Sequence, residues 1–484
     1  MFIKKYFPYV TCFITGLVCL IIELVSFRLL APYFGTSSYV TGIIINTVLL
    51  ALAVGYYIGG YTADKLKSMT LPYLITLLTS VYLLVFYYLY PVILKSIASF
   101  NAIAGSFLAI AAMFFLPMIA TAFIPPYLIK MLTSVDNIGK TAGKIYSLST
   151  CGSITGGILT TFVFVPYLGS QKSYMTAIIL LVLISIIGLF NNYKYSLLAL
   201  LIILIPIKLH PITLDEAIYK EESQYNIIKV TKDGNNLYLH LNNFFGYHSK
   251  SLDKEMLSGE YYDKFLITPL FTAGKNVLIL GNGAGTSMTQ LAYFFDLKID
   301  GVEIDSKLTK VGEKFFGLKL DKNKTTIIHN DARYYLNTTE KFYDVIIIDI
   351  YAGSPYIPFH LSTVEFFKLV ENKLQDDGVI AINFPMYALD TEFETYYINT
   401  IQRSFPFTFI SDNVIFAFKN HKDITFFNEK IKSYESNKIL NKVFAEISEQ
   451  LKVKPLLNIK PNKRLVFTDD YAPIDNLIFK ILKM

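Results

Sequence analysis

Asn-Val-Leu-Ile-Leu-Gly-Asn-Gly-Ala-Gly-Thr-Ser, residues 276–287, decides the fold of the C-terminal half. A continuous apolar run over 276–281 predicts a buried strand, and the three glycines after it predict a tight turn into a helix over 287–295. Gly281, Gly283 and Gly285 let the backbone turn and approach a ligand closely, and the helix start behind them offers unpaired N–H groups. A glycine-rich corner alone is weak evidence. It gains weight from Glu303, which ends the next strand in KIDGVEID, 22 residues after Gly281, where an acid accepts the two ribose hydroxyls of a nucleotide. A third strand, TTIIHND, leads to Asp331 and a fourth, YDVIIIDI, to Asp349. Acids at successive strand ends are where a doubly wound sheet keeps its ligand, so the expectation is a Rossmann-like α/β domain over 266–484.

Ahead of this domain, residues 225–245 read as a β-hairpin around Asp233-Gly234, giving a small β subdomain over 211–265. Upstream of His210-Pro211 the composition changes. Apolar runs recur near 8–30, 39–60, 72–94, 103–132, 143–167 and 173–190, each long enough to cross a bilayer, with a shorter run near 195–208. The whole chain of 484 residues is 53% hydrophobic and 17% charged, the blend expected of a membrane part joined to a water-soluble part. The expectation is thus a helical transmembrane domain over 1–210 with six or seven spans in the lipid bilayer. Lys4, Lys5, Lys65, Lys67, Lys130, Lys140, Lys144 and Lys194 fall on one side of such a bundle, which predicts a cytoplasmic N-terminus. Six spans, with 195–208 lying at the interface, then put the C-terminal domain in the cytoplasm of a multi-pass protein of the inner (plasma) membrane.

Gly55 and Gly59, like Gly152 and Gly156, have the four-residue spacing of close helix packing. Glu23 sits in mid-span, where a carboxylate is costly unless paired or wet. Cys12, Cys19 and Cys151 lie in apolar segments with no partner spacing for zinc, and read as small core hydrophobes. No metal-ligand cluster is visible. The net charge of +6 is scattered rather than gathered in a stripe, which does not suggest nucleic acid.

The segments VLILGNGAGTS, GVEID, NDARYYL, YDVIIIDIYAG and IPFHLSTVEFF together resemble the spermidine synthase-like family. ELVSFRLLAPYFGTS, GYYIGGYTADK, GKIYSLSTCGSITGG and VFTDDYAPID resemble its bacterial membrane-fused members, in which a multi-span transporter-like half precedes the synthase-like half. The resemblance implies an S-adenosylmethionine-dependent methyltransferase-type fold and an adenosyl-sulfonium donor. In true synthases that donor is decarboxylated S-adenosylmethionine, and an aminopropyl group passes to a diamine. By position it implies ribose binding by Glu303, adenine binding by Asp331 with Ala332, and contact of Gly281, Gly283 and Gly285 with the methionine-derived arm. Two acids of the soluble synthases are missing: Ala284 stands where the glycine loop carries an Asp, and Asp349-Ile350-Tyr351-Ala352 replaces an Asp-x-x-Asp run. A cationic diamine needs such carboxylates to bind it and take its proton. Asp349, Tyr351 and His360 remain as catalytic candidates, and Asp469 and Asp470 are expected to fold over the pocket and supply acidity.

Three functions remain open on the sequence. The first is aminopropyl transfer to a small-molecule amine in polyamine metabolism. The second is methyl transfer from S-adenosylmethionine to a membrane-associated acceptor. The third is a nucleoside sensor governing transport, for which six spans, half of a usual transporter, would call for a homodimer.

Overall fold

The computed structural model describes residues 2–482 apart from 99, 101, 134–136, 191–216, 243–245, 352–356, 386–387, 389–390, 422–428, 435 and 454–464. The run near 195–208 and Ala352 lie outside the described residues. The chain divides into two compact units that change over at Glu216/Ala217, with Glu222–Gln224 grouped with the first.

Up to Gly188 the described residues of the first unit build helices: α1 (Phe2–Phe34), α2 (Ser38–Lys65), α3 (Leu71–Ile97), α4 (Ala102–Ile110), α5 (Leu116–Leu132), α6 (Ile138–Leu159) and α7 (Gly169–Gly188). Wide turns over Ala111–Phe115 and Thr160–Leu168 continue α4 into α5 and extend α6. Among the described residues, five helical stretches are long and apolar enough to cross a membrane, the last covering Ile138–Gly188. That stretch of 51 residues is about twice the length of one span at 1.5 Å per residue, and its backbone breaks at Gly169, where φ is +79°.

The glycine pairs do what their spacing predicts. A Cβ on Gly152 would stand 1.9 Å from the Phe13 carbonyl oxygen, and one on Gly156 2.4 Å from that of Leu17, so α6 and α1 pass backbone against backbone. Gly55 and Gly59 meet Ile119 and Phe123 of α5 in the same way. In both pairs the contacts advance together along the two helices, so α6 runs parallel to α1 and α5 to α2. By contrast α7 runs against α3: Gly188 packs on Tyr73, Ser185 and Thr76 share a 2.7 Å hydrogen bond, and the Tyr174 hydroxyl donates to the Leu83 carbonyl at 3.2 Å. Cys12 and Cys19 are buried as expected, whereas Cys151 is exposed on α6.

The second unit holds two sheets. β1 (Tyr219–Glu222), β2 (Ile227–Asp233), β3 (Asn236–Leu241) and β4 (Ser249–Lys250) form a four-stranded sheet in that order. β2 and β3 pair antiparallel with Asp233 opposite Asn236, leaving Gly234 (φ +56°) and Asn235 as a two-residue turn. This sheet groups with the same compact unit as the larger one.

The larger sheet comprises β5 (Asn276–Leu280), β6 (Lys298–Val302), β7 (Thr325–Ile328), β8 (Tyr343–Ile348), β9 (Leu374–Asn383), β10 (Phe407–Ser411) and β11 (Val414–Phe418), in the order β10-β11-β9-β8-β5-β6-β7. β9, β8, β5, β6 and β7 are mutually parallel, and β11 is antiparallel to both neighbours. Order and strand sense are those of a Rossmann-like, methyltransferase-type domain. Its helices are α8 (Thr286–Phe294), α9 (Ser306–Phe315), α10 (Ala332–Thr338), α11 (Val364–Lys373), α12 (Glu392–Ile401), α13 (Lys438–Val453) and α14 (Ile474–Leu482). The central strands are apolar on both faces because each face is covered: Leu278, Leu280, Ile346 and Ile348 join the core under α10, α11, α12 and α14, while Val277, Ile279, Val345 and Ile347 join the core under α8 and α13.

Candidate active site

The chain leaves β5 toward α8 while β8 lies on its other side, so a crevice opens beyond the carboxyl ends of these two strands. Three segments named from the sequence, those of the glycine loop, Glu303 and Asp349, meet around it. Gly281, Gly283 and Gly285 all have positive φ (+84°, +53° and +82°), a conformation that side-chain-bearing residues rarely adopt. Gly281 is further constrained by space, since a Cβ there would lie 2.2 Å from the Asp349 carbonyl oxygen.

Glu303, one residue past β6, is buried, and its two oxygens accept from Gly283 N at 2.8 Å and Asp305 N at 2.9 Å. Burial raises its carboxyl to about 7, and the backbone hydrogen bonds only partly offset this. The acid therefore braces the glycine loop from below. Ala284 is fully buried in an apolar cluster with Val230, Leu239 and Val311, and its N–H donates to the Ser249 hydroxyl at 3.2 Å.

Asp349 ends β8. Its carboxylate accepts from the Tyr261 hydroxyl at 2.9 Å and the Asn383 side-chain amide at 2.9 Å. Burial raises it to about 6, against the lowering effect of those two donors. Tyr351 turns toward the same cluster and donates to the Asn383 carbonyl at 3.1 Å. Neither Tyr261 nor Asn383 was expected from the sequence. Tyr261 opens a 3-10 helix over Tyr261–Phe271, before the first strand of the large sheet, and Asn383 ends β9. The adjacent tyrosines 261 and 262 just ahead of that strand are the only local signal, and they do not reveal which way a ring points.

Asp331 caps α10, accepting from Tyr334 N at 2.9 Å, with Ala332 buried behind it. His360, in the 3-10 turn Phe359–Leu361, places Nε2 3.9 Å from the Asp331 carboxylate. These two form a second cluster, and Asp469 belongs with it in a role other than the one expected. Its carboxylate is taken up by both terminal nitrogens of Arg333, at 2.8 and 2.5 Å, and by the Thr363 hydroxyl at 2.7 Å. The guanidinium holds it below the usual carboxylate range, so Asp469 is a paired anion and not a free base. Asp470 is exposed. Neither acid caps the following helix, which starts at Ile474.

The α/β domain thus carries a glycine loop after its first parallel strand, an acid past the end of each of the next two, and a buried carboxylate past the end of the fourth. Residues 264–417 match the family profile described as "Spermine/spermidine synthase domain", and the C-terminal half of this chain carries such a domain. A "Probable polyamine aminopropyl transferase" of Bifidobacterium longum is 37% identical over 170 residues, covering 35% of this chain and 37% of that protein. A "Polyamine aminopropyltransferase" of Oceanobacillus iheyensis is 25% identical over 287 residues, 53% of this chain and 55% of the relative. The chain thus spans about a third to just over half the length of these curated relatives. Among solved structures, spermidine synthase from Thermotoga maritima aligns with a TM-score of 0.39 at 20% identity, over 49% of this chain and 88% of that one. The five apolar helical stretches are consistent with a membrane part fused to this domain.

Proposed function

We propose that the protein is a membrane-bound transferase of spermidine synthase type, moving an aminopropyl group from decarboxylated S-adenosylmethionine to an amine. The observation that carries this reading is Asp349: a buried carboxylate with a carboxyl near 6, fixed by Tyr261 and Asn383 beside the glycine loop. A base of that strength is largely ionised at neutral pH yet binds a proton readily. The nitrogen of the acceptor attacks the methylene carbon bonded to sulfonium, and the carbon–sulfur bond breaks. Methylthioadenosine leaves with the electron pair, and the proton of the new ammonium passes to Asp349. Glu303 accepts from the ribose hydroxyls, Asp331 from the adenine amino group, and the glycine loop lies along the arm of the donor. Alignment of nucleophile and leaving group is the main contribution to rate.

A second reading, methyl transfer from S-adenosylmethionine, is favoured by Ala284, whose apolar burial leaves no acid in the loop to meet a donor amine. Full-length protein in detergent, given each donor separately with a panel of amines, distinguishes the two. Methylthioadenosine from the decarboxylated donor supports the first, and S-adenosylhomocysteine from the other donor replaces it with the second.

For the membrane part we propose six spans. The break at Gly169, with α6 running parallel to α1 and α7 running against α3, supports splitting the last stretch in two. An even number returns the chain to the side of its N-terminus, which the lysine distribution assigns to the cytoplasm. A reporter fused after residue 484 that is active only in the cytoplasm should be active; silence there excludes the arrangement.

A further inference from the structure

Arg333 has no part in the chemistry above, yet its guanidinium ties together three segments remote in sequence. It stands two residues after Asp331, in the first turn of α10. One terminal nitrogen donates to the His360 carbonyl at 2.8 Å and also to Asp469, and the other donates to the second Asp469 oxygen. Asp469 is itself well seated. Its N–H donates to Glu365 at 3.0 Å, and two residues earlier the buried ring of Phe467 packs on Phe393 and Tyr396. The Phe467 carbonyl accepts from Val364 N at 2.9 Å, and Phe467 N donates to the Thr400 hydroxyl at 2.9 Å. The segment that presents Asp469 is therefore anchored in the core, and Arg333 transmits that anchor to the three-residue turn bearing His360. A planar, bidentate guanidinium fixes angle as well as distance, which a single point charge does not.

We infer that Arg333 and Asp469 are positioning residues for the nucleoside end of the donor: by holding the His360 turn at the Asp331 carboxylate, they set the shape of the adenine subsite. This rests on the reading that Asp331 meets the adenine amino group. The pair itself touches no substrate.

The test is titration calorimetry of full-length protein in detergent with methylthioadenosine and with its inosine counterpart, which carries an oxo group in place of the adenine amino group. The wild type should bind the adenine compound more tightly. Asp469→Asn and Arg333→Lys should each weaken that binding about tenfold, the scale of a lost charge-assisted fork, and shrink the preference for adenine over inosine. The melting temperature should change little, because the pair is partly exposed. A merely structural role would move the melting temperature and leave the base preference intact, and that result overturns the inference. If both variants fail to fold, Thr363→Val, which removes one hydrogen bond to Asp469 together with the N-cap of α11, should still reduce the adenine preference; an unchanged preference overturns the inference. No binding of methylthioadenosine by wild type would instead overturn the donor reading on which it rests.

Discussion

Two carboxylates at one end of the same domain, Asp349 and Asp469, differ in their surroundings, and the difference separates chemistry from architecture. Asp349 is surrounded by neutral donors, a phenol and an amide, in a buried place, so its proton affinity rises toward neutrality. Asp469 faces a guanidinium at the surface, so its proton affinity falls. Burial without a counter-charge makes a base, whereas pairing with arginine makes a fastener. The sequence offers the two as equivalent candidates.

The largest expected effect breaks the comparison if it fails. Asp349→Asn should lower turnover about 10²–10⁴-fold, the usual worth of a positioned general base, while Asp469→Asn leaves turnover within about twofold. Equal losses would mean that Asp349 is not the base.

The same pair should split in stability, with opposite signs. The carboxyl of Asp349 is raised in the folded state, so folding favours its protonated form and that contribution fades as pH rises through about 6. At pH 8 Asp349→Asn should therefore stabilise the unliganded protein, by roughly 1–3 kcal/mol for a shift of this size. Asp469 is lowered, so its contribution is present at neutral pH and lost on acidification. Removing its charge should destabilise by about 1 kcal/mol or less, because the pair is partly exposed. Chemical denaturation at pH 5 and pH 8 measures both.

Glu303→Gln should raise the donor KM about tenfold with a smaller change in kcat, since a neutral amide accepts more weakly from ribose hydroxyls. In the wild type that binding should weaken as pH falls below about 7, where the buried acid takes up a proton.

The smallest and sharpest effect concerns Tyr261. Turnover of the wild type should fall about tenfold per pH unit below about 6, as the ionised Asp349 is lost. Tyr261→Phe removes a hydrogen bond to the charged form, so the midpoint should move upward by several tenths of a unit at a modest cost in rate. Asp469→Asn should leave the midpoint unmoved.

Much of this was legible in the sequence because it is local. A strand ending in glycines needs only neighbouring residues to declare itself, and Gly281, Gly283 and Gly285 duly take positive φ. Glu303 and Asp331 follow from strand ends at regular spacing, and the apolar runs and glycine pairs of the first unit from length and period alone. The antiparallel pair β10 and β11 was not foreseen, although Asp412-Asn413 between two apolar runs is a hairpin signal, realised with Asp412 at φ +48°. What only the tertiary structure decided is which distant side chains meet. Tyr261 reaches Asp349 across 88 residues, Asn383 across 34, and Asp469 finds Arg333 across 136. A sequence pattern reports which face or end of an element a residue occupies. The sheet order that sets β8 between β5 and β9 brings those ends within hydrogen-bonding reach, and with it decides which acid accepts a proton and which holds an arginine.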